Sequence, residues 1–249
     1  MANPFDPRLG VALGARARTG VDAATYDAGL RSFLLGVYNY MISGVLLTGL
    51  VALGMAMTGA NRLLFNPATG GASALGWIVM LSPLAFVFLL GFRWQTMSEG
   101  AMRGLFFLFS ALIGASLSSI FLIYTGASIA TTFFATAAAF AGLSLWGYTT
   151  KRDLSGLGTF LVMGLVGLLV AMLLNLFLQS GTLAFVVSIV GVLIFAGLTA
   201  WDTQRLKLTY DAVAGTEMEE RSSIMGALSL YLNFINMFQF LLSFLGQRE

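Results

Sequence analysis

Seven long apolar runs divide this 249-residue chain, at about 32–57, 73–93, 104–124, 127–147, 157–178, 182–202 and 224–245. Each is close to the roughly 20 residues that a helix needs to cross a hydrocarbon core. The runs are continuous, without the alternating polar positions that a barrel lumen demands, so helices are expected rather than strands. Composition agrees: 58% of residues are hydrophobic and only 10% are charged, with a mean hydropathy of +0.87. A soluble domain is nearer about 45–50% apolar and about a quarter charged. Too few charges exist here to build a water-soluble surface. The expected fold is an all-α integral membrane bundle of seven transmembrane helices over 31–249, with no room for a second globular domain.

The breaks between runs carry turn chemistry. Residues 61–71 contain Asn66-Pro67 and Gly70-Gly71 and read as an exposed turn. Lys151, Arg152 and Asp153 lie in a short polar loop, while Gly126 and the triplet Gln179-Ser180-Gly181 mark tight turns. The segment 203–223, with Asp211, Glu217, Glu219 and Glu220, is the longest expected polar connection.

Loop charge sets the expected orientation. With the N-terminus cytosolic, the inner segments hold Arg8, Arg16, Arg18, Arg31, Arg93, Arg103, Lys151, Arg152, Arg205, Lys207 and Arg221. Only Arg62 and Arg248 fall outside. The excess of inner cations places the C-terminus on the opposite side. Residues 1–30 have no apolar segment that could serve as a signal peptide. They read as a polar, largely disordered cytosolic tail. The net charge of +2 is scattered over loops, not clustered as a phosphate-tracking patch, so no nucleic-acid partner is expected.

The chain has no cysteine and no histidine. Disulfides, Cys or His zinc sites and Ser-His or Cys-His nucleophile pairs are thereby excluded. An aspartyl intramembrane protease needs two acids on separate membrane helices, and only Asp202 abuts an apolar run. The Gly156-Leu157-Gly158 string lacks the Lys-Ser/Thr of a phosphate loop. No enzyme, no cofactor and no fixed metal site are expected.

Ionisable and strongly polar groups at membrane depth are the default functional candidates. Asp202 is expected near the C-terminal end of the sixth helix, where a carboxylate opposes the helix macrodipole. A local pair with Arg205, three residues on, is its simplest structural explanation. The last run carries Asn233, Asn236 and Gln239 at i, i+3 and i+6, close to one helical stripe. Interhelical hydrogen bonding is the ordinary role for such amides. Asn39 lies similarly deep in the first run. Arg93 closes the second run, either as a snorkelling anchor or as a partner for Asp202. Arg93, Asp202, Asn233 and Asn236 are grouped as one candidate polar cluster, with Arg205 in support. A desolvated acid beside an arginine can alternate between a paired, ionised state and a protonated, released one, which suits a gated cation pathway.

The strings Ala200-Trp201-Asp202-Thr203-Gln204-Arg205 and Ala227-Leu228-Ser229-Leu230-Tyr231-Leu232-Asn233-Phe234-Ile235-Asn236 resemble the signature ends of the Bax inhibitor-1 family, in its bacterial form. Leu117-Ser118-Ser119-Ile120-Phe121 looks like the family as well, and the resemblance covers most of residues 30–249. It implies a bundle in which six helices surround a central seventh; the style of the loops and tail points to the bacterial inner membrane. The resemblance also implies a pH-sensitive calcium leak that uses one aspartate on helix six and another on helix seven, latched by an arginine from helix two. Asp202 matches the first aspartate and Arg93 the latch. The second position departs from the pattern, because Asn233 stands there. An Asp–Asn pair has no like-charge repulsion, so the two-step titration of a carboxylate dyad has no counterpart here. Oxygen ligands from Asp202, Asn233 and backbone carbonyls suit transient passage of calcium or another hard cation. The alternative that the resemblance implies is a non-transporting regulator of a membrane-bound protease, or of membrane-protein quality control and stress response, with the polar N-terminal tail available to a partner.

Overall fold

The computed structural model describes residues 20–64 and 71–247. Among them are seven helices long and apolar enough to cross a membrane: α1 (Gly20–Thr58), α2 (Ala74–Arg93), α3 (Glu99–Leu117), α4 (Gly126–Thr149), α5 (Ser155–Leu178), α6 (Gly181–Val213) and α7 (Met218–Leu245). Two short 3-10 turns, Ala60–Leu64 and Ser118–Leu122, follow α1 and α3.

Local chemistry explains where the helices start. Ser98, Thr125 and Ser180 each accept a backbone N–H three residues on, at 3.3 Å, capping α3, α4 and α6. Gln179, with φ of 48°, ends α5 in the left-handed conformation, and the Asn175 side chain accepts the next amide, from Ser180. Asp153 accepts the Ser155 amide at 2.9 Å just ahead of α5; the hydrogen bonds from Ser155 hold its carboxyl below the usual carboxylate range.

Several ends differ from expectation, for one physical reason. Loss of hydropathy marks the edge of the apolar run, not the end of the helix. The first helix is already formed at Gly20, and α6 continues to Val213. Asp202, Leu206 and Tyr210, one turn apart, remain on a buried stripe. The 33 residues of α6 span about 50 Å, against a hydrocarbon core of about 30 Å. The expected connection 203–223 shrinks to residues 214–217, and Glu219 and Glu220 fall in the first turn of α7, where the helix dipole favours acids. Asn61, expected in an exposed turn, is only 2% exposed and donates to the Ser118 carbonyl at 3.4 Å. The expected tail lies outside the described residues as far as residue 19, as do Asn66-Pro67 and Arg248.

α7 is the central helix. It packs against α1, α3, α4 and α6, while α2 sits on α3 and α5 sits on α6. Half of the most apolar stretch of α7 is buried, against 11% for α5. Tyr231, fully buried on α7, makes edge contacts with Phe106 and Phe109 of α3. Its hydroxyl meets Thr48 Oγ1 of α1 at 2.6 Å, and Thr48 also bonds the Ser110 carbonyl. The α1–α3 contact is close because Gly114 has no side chain: a Cβ there would lie 2.5 Å from the Thr48 carbonyl oxygen.

The connections sort to two ends. Tyr26 donates to Asp211, Arg221 to the Gln95 carbonyl, Gln204 to the Arg152 carbonyl and Lys207 to the Tyr148 carbonyl. The start of α1 and the α2–α3, α4–α5 and α6–α7 connections therefore share one end. At the other, Gln247 ties the C-terminus to the start of α4, through Thr125 and Ser128.

Candidate functional site

Asp202 is 8% exposed and faces α7. Its Oδ2 accepts two hydrogen bonds, from Ser229 Oγ and from Asn233 Nδ2, each at 2.7 Å. Ser229 and Asn233 are four residues apart, so α7 presents them on one face, one above the other. Among the described residues no hydrogen bond reaches Oδ1. Two hydrogen bonds of this length clasp together the two most buried of the described helices.

Asp202 does not end its helix as expected. Val213 lies eleven residues further on, about 16 Å of helical rise. The macrodipole acts within the last turn and therefore does not decide the fate of this carboxylate. Burial and the two donors from α7 do.

Beside the clasp lies a cavity of about 330 Å³, lined by Trp94, Asp202, Arg205, Thr209, Ser222 and Ser229 among others. Ser222 is 4% exposed, and its hydroxyl is buried without a hydrogen-bond partner. A carboxylate with one unengaged oxygen and an unpartnered hydroxyl thus border the same space. Leaving such a hydroxyl unpaired costs about 1–3 kcal/mol. Among the described residues no cluster of three acids forms a metal cage. One carboxylate with neutral oxygens suits transient contact with a cation.

The other candidates separate. Arg205 is exposed, with its guanidinium 5.4 Å from the Trp201 ring centre, and forms no ion pair with Asp202 among the described residues. The expected local pair gives way to a cation–π contact one turn back along the helix. Arg93 is exposed at the end of α2 and is not brought to Asp202. The same turn contributes Trp94 to the cavity wall and the Gln95 carbonyl to Arg221, at 2.8 Å. Asn39 is exposed on α1. Asn236 donates to the Leu232 carbonyl of its own helix and lines a different cavity with Gln239. Steps of three residues fall about 60° short of a full turn. The expected stripe therefore fans around α7, and of the three amides only Asn233 hydrogen-bonds to α6.

Two contributors went unrecognised in the sequence. Ser229 was detectable from its place four residues before Asn233. Glu220, assigned to a loop, instead joins three helices: its Oε1 accepts from Tyr40 of α1 at 2.6 Å and from Arg103 of α3 at 2.9 Å.

Fold and site together define a polytopic membrane protein whose last two helices are clasped around one buried acid. A family model described as "Inhibitor of apoptosis-promoting Bax1" matches residues 30–249. The chain belongs to this family, the Bax inhibitor-1 family. It is 46% identical over 225 residues to the inner membrane protein YbhL of Escherichia coli, covering 89% of this chain and 94% of that one. A Caulobacter vibrioides protein is 48% identical over 229 residues (88% and 90% covered). A Rickettsia prowazekii protein is 44% identical over 228 residues (90% and 93% covered). The expected multi-pass inner-membrane location agrees with the seven apolar helices and with the name of the Escherichia coli relative.

Proposed function

We propose that this protein is a gated passage for cations, calcium foremost, with Asp202 as the group that the passing ion meets and the α6–α7 clasp as its closure. The observation that carries this reading is the placement of Asp202: a buried carboxylate, held on one oxygen by Ser229 and Asn233, beside a cavity with an unpartnered hydroxyl. A buried acid at membrane depth marks an ion path by default, and a single carboxylate binds weakly enough to release what it attracts. The partners are the bilayer and the cation, without nucleic acid, and the role is not catalytic.

The excess of Lys and Arg at the end shared by the α2–α3, α4–α5 and α6–α7 connections supports a cytosolic placement of that end, with the C-terminus opposite. Gating works through the clasp. Asn233 donates whatever the pH, so titration of one acid, Asp202, replaces the shared proton of a dyad. Arg93 enters this scheme only if the α2–α3 turn moves, because it stands exposed at the end of α2.

Calcium flux into liposomes tests the reading, with the unaltered protein compared with Asp202→Asn and empty liposomes across pH. Flux above the empty control that falls on loss of the Asp202 charge supports it. Flux equal to the control at every pH removes it and favours the non-transporting regulator of a membrane protease, to be sought by crosslinking in native membranes.

A further inference from the structure

α1 and α4 both pack on α7 and leave an apolar groove between them. Its half nearer the start of α1 is a cavity of about 590 Å³. The buried Phe140 and Phe234 line it, and so do Leu35, Ile42 and Leu145, each more than half exposed. The cavity therefore opens sideways, toward the hydrocarbon of the bilayer. Its lining on α1 runs from Arg31 to Ile42, about 16 Å of helical rise, or one leaflet's share of a hydrocarbon core of about 30 Å. Phe234 also lines the other half, a cavity of about 440 Å³ that reaches Leu53 and Gly126 and has no charged residue in its wall.

Charge distinguishes the two halves. Arg31 lines the first, exposed and without an ion pair or hydrogen bond of its side chain among the described residues. Tyr148 lines it too, and the Lys207 ammonium lies 5.2 Å from the centre of that ring and donates to the Tyr148 carbonyl at 2.8 Å. Lys151 and Arg152 stand exposed just beyond, in the α4–α5 connection. No acid lines the cavity. A second, independent sign is Ser144, on the same wall one turn before Tyr148. It is 6% exposed, and its hydroxyl is buried without a hydrogen-bond partner. Thr136 and Thr149 of the same helix each donate to the carbonyl four residues back, which Ser144 does not. It stands about 6 Å from Tyr148 along the axis, on the hydrocarbon side, where the ester oxygens of a lipid follow its phosphate.

We propose that the α1–α4 groove is a binding site for an anionic glycerophospholipid, with its phosphate at Arg31 and Lys207 and one acyl chain lying over Phe140 and Phe234. A basic pocket between transmembrane helices holds an anionic headgroup, the apolar floor takes the chain, and an ester carbonyl gives Ser144 the acceptor it lacks. Cations border only one end of the groove, so the site selects lipid from the leaflet on the side of the α4–α5 connection. The inference is independent of the cation passage proposed above.

The test is lipid retention. The purified protein is held in detergent micelles containing equal amounts of phosphatidylglycerol and phosphatidylcholine, and the lipid that stays bound is counted by native mass spectrometry. One phosphatidylglycerol per protein is expected, in several-fold excess over phosphatidylcholine. Arg31→Gln with Lys207→Gln should bring the two lipids to equal retention. Should that pair not be recovered, Arg31→Gln alone, at an exposed side chain with no partner to lose, should at least halve the excess. Ala141→Trp keeps every charge and fills the groove from an exposed position of its wall; it should abolish retention of both lipids. Ser144→Ala should weaken retention and leave the preference unchanged. Equal retention of the two lipids by the unaltered protein overturns the proposal, as does a preference that survives loss of the cations. Retention that Ala141→Trp leaves intact also overturns it, by placing the lipid on the outer surface and not in the groove.

Discussion

Asn233 donates to Asp202 at 2.7 Å, at the helix-seven position where the family resemblance places a second aspartate. The substitution keeps a donor where the dyad would share a proton. The contact therefore does not depend on a shared proton to exist, and a second hydrogen bond, from Ser229, reinforces it.

Asn233→Asp should restore what the dyad has and this chain lacks. Two carboxylates in contact cannot both ionise cheaply. At low pH one proton bridges them and the α6–α7 contact is kept. As pH rises and that proton leaves, the helices repel and flux increases. Flux through the unaltered protein should respond less to pH over the same range. Equal profiles for the two proteins would contradict the assignment.

Asp202→Ala strands the Ser229 hydroxyl and the Asn233 amide inside the bundle. Each buried group left unpaired costs about 1–3 kcal/mol. The thermal transition in detergent should drop clearly, and Asp202→Asn should drop it less, because an amide oxygen still accepts. A transition unchanged by Asp202→Ala would show that the clasp contributes nothing to packing.

Gly114→Ala should destabilise the α1–α3 contact. The added Cβ falls 2.5 Å from a backbone oxygen, which cannot rotate away as a side chain can. Overpacking of this kind costs typically about 1–3 kcal/mol, readable as a lower thermal transition. Gly167→Ala, where nothing lies within 4 Å of the new atom, is the matched control and should be neutral or slightly stabilising.

The Arg103–Glu220 bridge, at 2.9 Å with side chains 46% and 35% exposed, should contribute little. Exposed pairs are worth about 0.2–1 kcal/mol and weaken with salt. Arg103→Ala should therefore shift the thermal transition slightly at low salt and not at all at high salt, while Tyr40 still donates to Glu220.

The seven spans were legible because a membrane demands long apolar runs and tolerates little else. Helix ends were not, since α6 passes through the polar boundary on the buried stripe of Leu206 and Tyr210. Asp202 and Asn233 stood out individually as polar groups at depth. Their pairing depends on the register between α6 and α7, which no local pattern encodes, and the family resemblance supplied it. Asn236 looked equivalent to Asn233 by spacing, but a drift of 60° was enough to send it to another cavity. Arg93 was grouped with Asp202 by its place at the same expected end of the bundle and by the resemblance, and here it stands exposed at the end of α2. Glu220 was hidden because its value comes from Tyr40 and Arg103, both distant in sequence.

Calcium flux in liposomes, measured for the unaltered protein, Asp202→Asn and Asn233→Asp at several pH values, decides whether Asp202 serves a cation passage. Flux above empty liposomes is expected, with loss on removing the Asp202 charge and a steeper rise with pH for Asn233→Asp. Flux that matches empty liposomes, or that is indifferent to Asp202, would contradict that role.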